Sequence, residues 1–157
     1  MEIILLAIGK TTQSFIQKGI EEYLNRLRRY ISFRIEILSD IKCTKSLSEE
    51  LQKEKEGDLI LSFVNSSDLF ILLDEKGKEF TSKEFSTYLQ KIIGSGKKRA
   101  VFAIGGPYGF SKSVYERADQ KLSLSKMTFT HEMIRLFFIE QIYRGFTILR
   151  GEPYHHE

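Results

Sequence analysis

A long, almost entirely apolar helix near the end of the chain constrains the fold more than any other feature. Thr130 is a good N-cap residue, and the sequence predicts a helix from there through Phe146. Glu132 falls in the first predicted turn, where the helix dipole favours a negative charge. Apolar residues cover most of the circumference, whereas a surface helix has one apolar stripe. We therefore expect burial on more than one side, by the protein's own core and by a second subunit.

The rest of the chain alternates short apolar strands with amphipathic helices. The predicted strands are Glu2–Ile8, Phe33–Leu38, Leu69–Leu73, Ala100–Ile104 and Lys121–Leu124. The predicted helices are Thr11–Arg29, Ser46–Lys55, Thr81–Ile93 and a short one from Ser111 or Ser113 to about Ala118. Such alternation, without repeat or linker, predicts one α/β domain over residues 1–157, a parallel sheet with helices on both faces.

Local signals sharpen some boundaries and leave one open. Ser46 with Glu49, and Thr81 with Glu84, have capping-box spacing at two helix starts. Asp74 and the turn at Gly77 should close the third strand. The segment Leu59–Val64 could extend the second helix or form a short strand, since Gly57 precedes it.

Composition places the chain among globular proteins. It has 157 residues, 41% of them hydrophobic, and a formal net charge of +3, which permits an RNA partner without demanding one. Cys43 is the single cysteine, so no internal disulfide is possible and a reducing cytoplasm fits. The apolar run Ile3–Ile8 is too short to span a membrane. Basic residues cluster at Arg26, Arg28, Arg29 and Arg34, and again at Lys97–Arg99, a pattern more typical of a solvated face.

Three loops should meet at one edge of the sheet, after Leu73, Ile104 and Leu124. Ligands of open α/β sheets bind beyond the carboxyl ends of the strands. The second loop carries Gly105, Gly106 and Gly109 around Pro107, but it has neither phosphate-loop nor GxGxxG spacing. The sequence therefore leaves open whether this glycine-rich segment is a tight turn or a ligand-binding loop.

Polar residues near the C-terminus suit RNA chemistry without naming a reaction. Arg144 follows Glu140 by four residues, which favours either an intrahelical ion pair or an arginine directed at phosphate or base. Tyr154 offers an aromatic face for a nucleobase. His131, His155 and His156 match no zinc-binding motif, so we expect no metal.

Several strings together resemble the ribosomal RNA large subunit methyltransferase H family. They are FAIGGPYG, LSLSKMTFTHEMIRLFFIEQIYR and a terminal PYHHE, with IILLAIGK and LLDEKGK in support, and they span nearly the full chain. The resemblance implies a small SPOUT fold with a C-terminal trefoil knot, and a homodimer. It also implies S-adenosylmethionine-dependent methylation of N3 of a pseudouridine in large-subunit ribosomal RNA, on the assembled ribosome, with no membrane partner.

The resemblance also implies roles for individual residues. The methyl-donor pocket should comprise Leu73, Gly105, Gly106, Leu124, Ser125, Lys126, Met127, Thr128 and Phe129. The substrate side should comprise Arg144, Tyr154 and His155, with Arg144 stabilising an anion on the base and His155 accepting a proton or contacting phosphate. Many relatives have arginine or lysine where this chain has His156. In a dimer, Arg26, Arg28 or Arg29 should help grip the RNA.

Two other functions fit the same residues. A related knotted methyltransferase with a transfer RNA target would have the same donor pocket, so only the modified nucleotide would distinguish it. A ribosome-binding protein that keeps the fold without catalysis would have lost donor binding.

Overall fold

A five-stranded parallel sheet organises the structure, a computed structural model that describes residues 1–41 and 47–156. The strands are β1 Glu2–Ile8, β2 Ser32–Leu38, β3 Leu69–Lys78, β4 Arg99–Ile104 and β5 Gln120–Leu122. The helices are α1 Ser14–Leu27, α2 Glu49–Phe63, α3 Ser82–Ile93, α4 Lys112–Arg117 and α5 Met133–Leu149. The strand order is β2-β1-β4-β3-β5, and every neighbouring pair is parallel.

Helices cover both faces of the sheet, as the alternation predicts. Alternate residues of β1 enter two separate apolar cores, Ile3 and Leu5 on one face and Ile4 and Leu6 on the other. Helices α1, α3 and α5 cover the first face, whereas α2 and α4 cover the second. A strand buried on both faces must be apolar at every position, which explains the unbroken run in β1. The trefoil knot stays a prediction.

The third strand corrects the expected turn at Gly77. β3 continues through Lys78, with an irregularity between Leu73 and Lys78 in its pairing with β5. A Cβ on Gly77 would lie only 2.5 Å from the carbonyl carbon of Leu122. Glycine is present because two backbones approach closely here, so the prediction of a strand-ending turn was wrong.

The second helix settles the ambiguity around Gly57. α2 runs without a break to Phe63, so Leu59–Val64 continues the helix. Ser48 caps α2 by accepting a hydrogen bond from the Leu51 N–H at 3.2 Å. Cys43 and the predicted cap Ser46 lie outside the described residues. The Thr81–Glu84 capping box is present as predicted.

Other boundaries also differ from the predictions by a few residues. α1 begins at Ser14 rather than Thr11, because Thr11–Gln13 form a loop held by residues of the α5 region, described below. β5 ends at Leu122, so Ser123 and Leu124 belong to the loop that follows. Within the described ranges, no helix combines the length and apolar character needed to cross a membrane.

Candidate active site

An open cavity of about 720 Å³ lies at the carboxyl ends of β3, β4 and β5. The three loops that the sequence predicts at this edge form its walls: the end of β3, the Gly105–Phe110 loop and the Ser123–Thr130 loop. We call it the donor cavity. Among the predicted donor residues, those that line it are Leu73, Gly105, Gly106, Leu124, Ser125, Met127, Thr128 and Phe129. Lys126 does not line it; its ammonium group lies 4.0 Å from Glu79, and its side chain is exposed.

In the Gly105–Phe110 loop, which we call the glycine loop, a side chain at Gly105 or Gly106 would collide with neighbouring atoms. A Cβ on Gly105 would lie 3.2 Å from the carbonyl carbon of Gly109 and 3.3 Å from the Phe110 ring. A Cβ on Gly106 would lie 2.1 Å from a carboxyl oxygen of Glu56. Gly109 has φ +81°, which other residues rarely adopt. The loop therefore presents bare backbone to the cavity.

Hydroxyl groups hold the second loop in shape. The Ser123 hydroxyl donates to the Ser125 carbonyl at 3.0 Å, and the Met127 N–H donates to the Ser125 hydroxyl at 3.0 Å. These local bonds fix the backbone without regular secondary structure. Met127 is 76% exposed at the cavity rim, although an apolar side chain of this size is normally covered.

The start of α5 is tied to the loop after β1. The Met133 N–H donates to the Thr130 hydroxyl at 3.2 Å, but α5 begins at Met133 with Glu132 as the N-cap residue, so the helix starts later than predicted and Glu132 does not lie in its first turn. The Glu132 carboxylate, however, accepts from the N–H groups of Thr12 and Gln13, both at 3.0 Å. These bonds and one from the Thr12 hydroxyl lower the Glu132 pKa to about 2. Glu132 therefore stabilises the N-terminal end of α1 rather than its own helix.

Arg135, a buried residue of α5, makes a second connection to the loop after β1. Its guanidinium group donates to the Ile8 carbonyl at 2.8 Å and to the Thr11 hydroxyl at 2.9 Å. Only 1% of Arg135 is exposed, and burial lowers its pKa. Sequence reasoning missed this link because its partners are more than 120 positions away.

Tyr115 and Asp74 also line the donor cavity, and the sequence analysis did not name either as a site residue. The Tyr115 hydroxyl donates to the Asp74 carboxylate, and both side chains face the cavity. Burial and this hydrogen bond raise the Tyr115 pKa, so the hydroxyl stays protonated near neutral pH. Asp74 directly follows a predicted strand, which is the signal that could have identified it.

The predicted substrate-side residues meet at the other end of α5. Arg144 donates to Glu140 at 2.6 and 3.0 Å, which confirms the intrahelical pair. The guanidinium carbon lies 4.7 Å from the centre of the Tyr154 ring, and a guanidinium N–H donates to Nδ1 of His155 at 3.4 Å. The Tyr154 hydroxyl bonds with Tyr23 at 3.1 Å and donates to Glu140 at 3.2 Å. We call Glu140, Arg144, Tyr154 and His155 the tail cluster.

Basic residues of α1 lie next to the tail cluster. Arg26 pairs with Glu22, and its guanidinium carbon lies 5.7 Å from the Tyr143 ring centre. Just beyond the helix, Arg29 donates to Glu152 of the tail at 3.0 Å. Arg28 is exposed to solvent. Arg26 and Arg29 therefore lie beside the tail cluster, whereas Arg28 lines a separate cavity together with Ile35 and Ile37.

The donor cavity and the tail cluster are far apart within one subunit. Ile134 lines the cavity, and Arg144 follows it by ten residues on the same helix. At 1.5 Å per residue, this places them about 15 Å apart along the helix axis. None of Arg144, Tyr154 and His155 lines the donor cavity.

Fold and cavity together define a class: α/β proteins that hold a nucleotide-like ligand beyond the carboxyl ends of parallel strands. Glycine backbone, loop N–H groups and apolar side chains suit an adenosine with a short substituent. In the described part of the chain, no group of three or more potential metal ligands comes together.

Comparison with known proteins identifies the family. Residues 1–155 match a family model described as predicted SPOUT methyltransferase. The chain is 60% identical over 157 residues to the Ribosomal RNA large subunit methyltransferase H of Parabacteroides distasonis, covering all of both chains. Proteins of the same name from Christiangramia forsetii and Bacteroides thetaiotaomicron are 58% identical over 156 residues (99% of each chain) and 52% identical over 157 residues (100% of each chain). This chain therefore belongs to the SPOUT methyltransferase family, whose methyl donor is S-adenosylmethionine.

Proposed function

We propose that this protein methylates N3 of a pseudouridine in large-subunit ribosomal RNA, on the assembled ribosome in the cytoplasm. The names of relatives that are 52–60% identical over essentially the whole chain support the ribosomal RNA as substrate. The observation that carries the proposal is the donor cavity, whose walls contain eight of the nine predicted donor residues.

The donor cavity suits S-adenosylmethionine, which supplies an electrophilic methyl group on a sulfonium. Gly105 and Gly106 present bare backbone to the donor cavity, against which an adenosine can pack. Glycine is required at both positions because a Cβ would meet Gly109 and Phe110, or Glu56. Leu73, Leu124 and Phe129 offer apolar surface for the ring. Lys126, outside the cavity wall, contributes through its position in the loop rather than its side chain.

Arg144 stabilises the deprotonated base in the proposed reaction. N3 of the base must lose its proton as the new bond forms, and a positive charge favours the resulting anion. Tyr154 orients Arg144 by cation–π contact, and burial keeps its hydroxyl protonated. His155 accepts the N3 proton or contacts phosphate. Its Nδ1 faces Arg144 in the structure, so the first role requires that contact to open.

A homodimer would bring the two ends of α5 together. Within one subunit they are about 15 Å apart, too far for one reacting base to touch both. Phe15 is 60% exposed, and the exposed rings of Phe129 and Phe137 contact each other with centroids 5.1 Å apart. An exposed apolar surface beside the donor cavity is typical of a subunit interface. We therefore propose that the donor cavity of one subunit works with the tail cluster of the other.

The arginines at the C-terminal end of α1 bind the RNA backbone in this proposal. Arg26 and Arg29 already have carboxylate partners, whereas Arg28 is exposed to solvent. Arg28 is therefore the residue of the three best placed to contact phosphate without first losing an ion pair.

The test uses ribosomes from cells that lack the enzyme. A methyl on N3 blocks Watson–Crick pairing, so reverse transcription stops at the modified nucleotide. We expect the purified protein and S-adenosylmethionine to create one such stop on assembled ribosomes and none on protein-free ribosomal RNA. Methylation of transfer RNA instead would establish the alternative target. Ribosome binding without donor binding would establish a non-catalytic protein.

A further inference from the structure

A groove of about 450 Å³ lies between α3 and β5, the strand at one edge of the sheet. Three exposed lysines line it together with two aromatic rings: Lys78 at the end of β3, Lys91 on α3, Lys121 on β5, Phe80 and Tyr88. We call it the lysine groove. None of these residues lines the donor cavity or belongs to the tail cluster.

The lysine groove adjoins the donor cavity. Lys78 lies opposite Leu122 in the pairing of β3 with β5, and its carbonyl accepts a hydrogen bond from the Ser123 N–H at 2.9 Å. Leu122 and Ser123 both line the donor cavity. The ammonium group of Lys121 lies 5.6 Å from the centre of the Tyr115 ring, which faces the same cavity. A strand of RNA that enters the donor cavity can therefore reach these lysines with its adjacent nucleotides.

The lysine groove carries more positive than negative charge. Among the described residues that line it, Glu84 is the one carboxylate, against three lysines. A hydrogen bond from the Thr81 N–H, 2.7 Å long, holds the Glu84 side chain at the start of α3 and lowers its pKa. In the described part of the chain, Lys91 and Lys121 form no ion pair. The groove therefore attracts an anion such as phosphate.

The donor cavity has the opposite balance of charge. Asp74 and Glu75 line it, and Lys76 is the only lysine or arginine among the described residues that do so. Phosphate is therefore disfavoured inside the donor cavity, and the phosphates that accompany the target base must lie outside it. Neutralisation of phosphates by lysine and arginine supplies much of the affinity of proteins for nucleic acids. The lysine groove offers such neutralisation next to the cavity.

Local structure gives two of the lysines another use. Lys91 lies in the last turn of α3, where the helix dipole favours a positive charge. Lys121 lies on an edge strand, where a charged side chain hinders pairing with other chains. Neither effect brings the two lysines into one groove beside the donor cavity, and neither depends on RNA.

We propose that the lysine groove binds the phosphate backbone of ribosomal RNA next to the nucleotide that is methylated. The inference rests on the proposed function and adds a second RNA-binding surface, on the subunit whose donor cavity is in use. In the proposed dimer, the RNA is then held from both sides, by the lysine groove of one subunit and by the arginines beside the tail cluster of the other.

Removal of two charges tests the groove. Lys91→Gln combined with Lys121→Gln should reduce the slope of log ribosome affinity against log salt by about one to two, because two phosphate contacts are lost. The matched control is Lys97→Gln combined with Lys98→Gln, which removes the same charge from exposed positions just before β4, at the opposite ends of the strands. The control should keep the slope of the unmodified protein. Donor affinity, measured by calorimetry, and single-turnover methylation at saturating ribosomes should be unchanged in both variants.

An unchanged slope in the groove variant would overturn the inference, and so would an equal reduction in the control, since that would be an effect of net charge alone. In either case, methylation of ribosomes by the unmodified protein leaves the proposed function intact. If the unmodified protein does not methylate ribosomes, the proposed function fails and the inference fails with it.

Charge reversal separates RNA binding from protection of the sheet edge. Lys121→Glu keeps a charge on β5, so the edge stays protected against pairing with other chains. It should nevertheless bind ribosomes severalfold more weakly than Lys121→Gln, because a carboxylate repels phosphate. Equal ribosome binding by these two variants would contradict a phosphate contact at Lys121.

A photo-crosslink identifies what occupies the groove. Thr87 is exposed and lines it, so a benzophenone side chain at this position should crosslink to ribosomal RNA near the methylated nucleotide. The same group at Ser66, an exposed position outside the groove, should give no such crosslink. A lack of RNA crosslinks from position 87, or crosslinks to ribosomal proteins alone, would overturn the inference.

Discussion

The two ends of α5 differ in how completely their polar groups are satisfied. At the N-terminal end, an open cavity is lined by bare glycine backbone, hydroxyl groups and exposed aromatic rings. At the C-terminal end, Arg144 is enclosed by Glu140, Tyr154 and His155. The first end is ready to accept a ligand. At the second end, the charge of Arg144 is paired within the protein.

This contrast indicates that the donor cavity and the tail cluster have different structural requirements. The donor cavity must be preformed, because its loops are fixed by local bonds and by the link from Glu132 and Arg135 to the loop after β1. In the proposed reaction the tail cluster must adapt, because Arg144 already contacts a carboxylate that an anionic base would have to replace. The following predictions test whether the two ends are separable in this way.

The largest expected effect is the loss of donor binding when the glycine loop is filled. Gly105→Leu should weaken S-adenosylmethionine binding at least about 100-fold, since even a Cβ there lies 3.2 Å from backbone. Gly94→Ala is the matched control, because its Cβ would have ordinary contact at 3.4 Å. Calorimetric titration measures both. Normal binding by Gly105→Leu would place the donor elsewhere.

A comparable loss of rate, without loss of donor binding, should follow from changing the tail cluster. Arg144→Ala should lower single-turnover methylation by about 10²–10³-fold, because a charge that stabilises the developing anion is removed. Its affinity for S-adenosylmethionine should equal that of the unmodified protein. A variant that loses donor affinity as well would show that the two ends are not separable.

The link between α5 and α1 should affect stability in a pH-dependent way. The Glu132 pKa of about 2 lies below its ordinary value of 4.5, so the stabilisation is complete above about pH 4.5 and is lost as the pH falls towards 2. Glu132→Gln should therefore melt several degrees lower than the unmodified protein at pH 7 but nearly equal to it at pH 2. Glu116→Gln, at an exposed position on α4, is the control. Equal melting temperatures at pH 7 would argue against the link.

The smallest expected effect concerns RNA binding by Arg28, at the C-terminal end of α1. Arg28→Ala should weaken ribosome binding severalfold and reduce the slope of log affinity against log salt by about one. Lys112→Ala, on an exposed side chain of α4, should leave the slope unchanged. A slope that is the same for Arg28→Ala and the unmodified protein would exclude a phosphate contact at this position.

Much of the fold could be predicted because strands buried on both faces have unbroken apolar runs. β1 and β4 carry such runs, and the helices between strands show clear amphipathic spacing. The turn expected at Gly77 failed because a polar segment with glycine resembles a turn, whereas here glycine allows two strands to approach. Close approach between distant segments leaves no local signal.

The candidate site also contains residues that the sequence could identify and residues that it could not. The glycine loop and the serine-rich loop have local signatures, so their residues could be named from the sequence and its family resemblance. Glu132 and Arg135 could not, because their roles depend on partners that are distant in the chain. The sequence alone also gives no distance between the two ends of α5, on which the shared site depends.

Mixing two inactive variants tests the central claim most directly. Gly105→Leu lacks a donor site, and Arg144→Ala lacks the substrate-side charge. If one reaction uses the donor cavity of one subunit and the tail cluster of the other, each mixed dimer regains one complete site. We predict that mixing the unfolded variants and refolding them together restores methylation of ribosomes to about a quarter of normal, since half the dimers carry one of two sites. No activity above that of the separate variants would contradict a site shared between subunits.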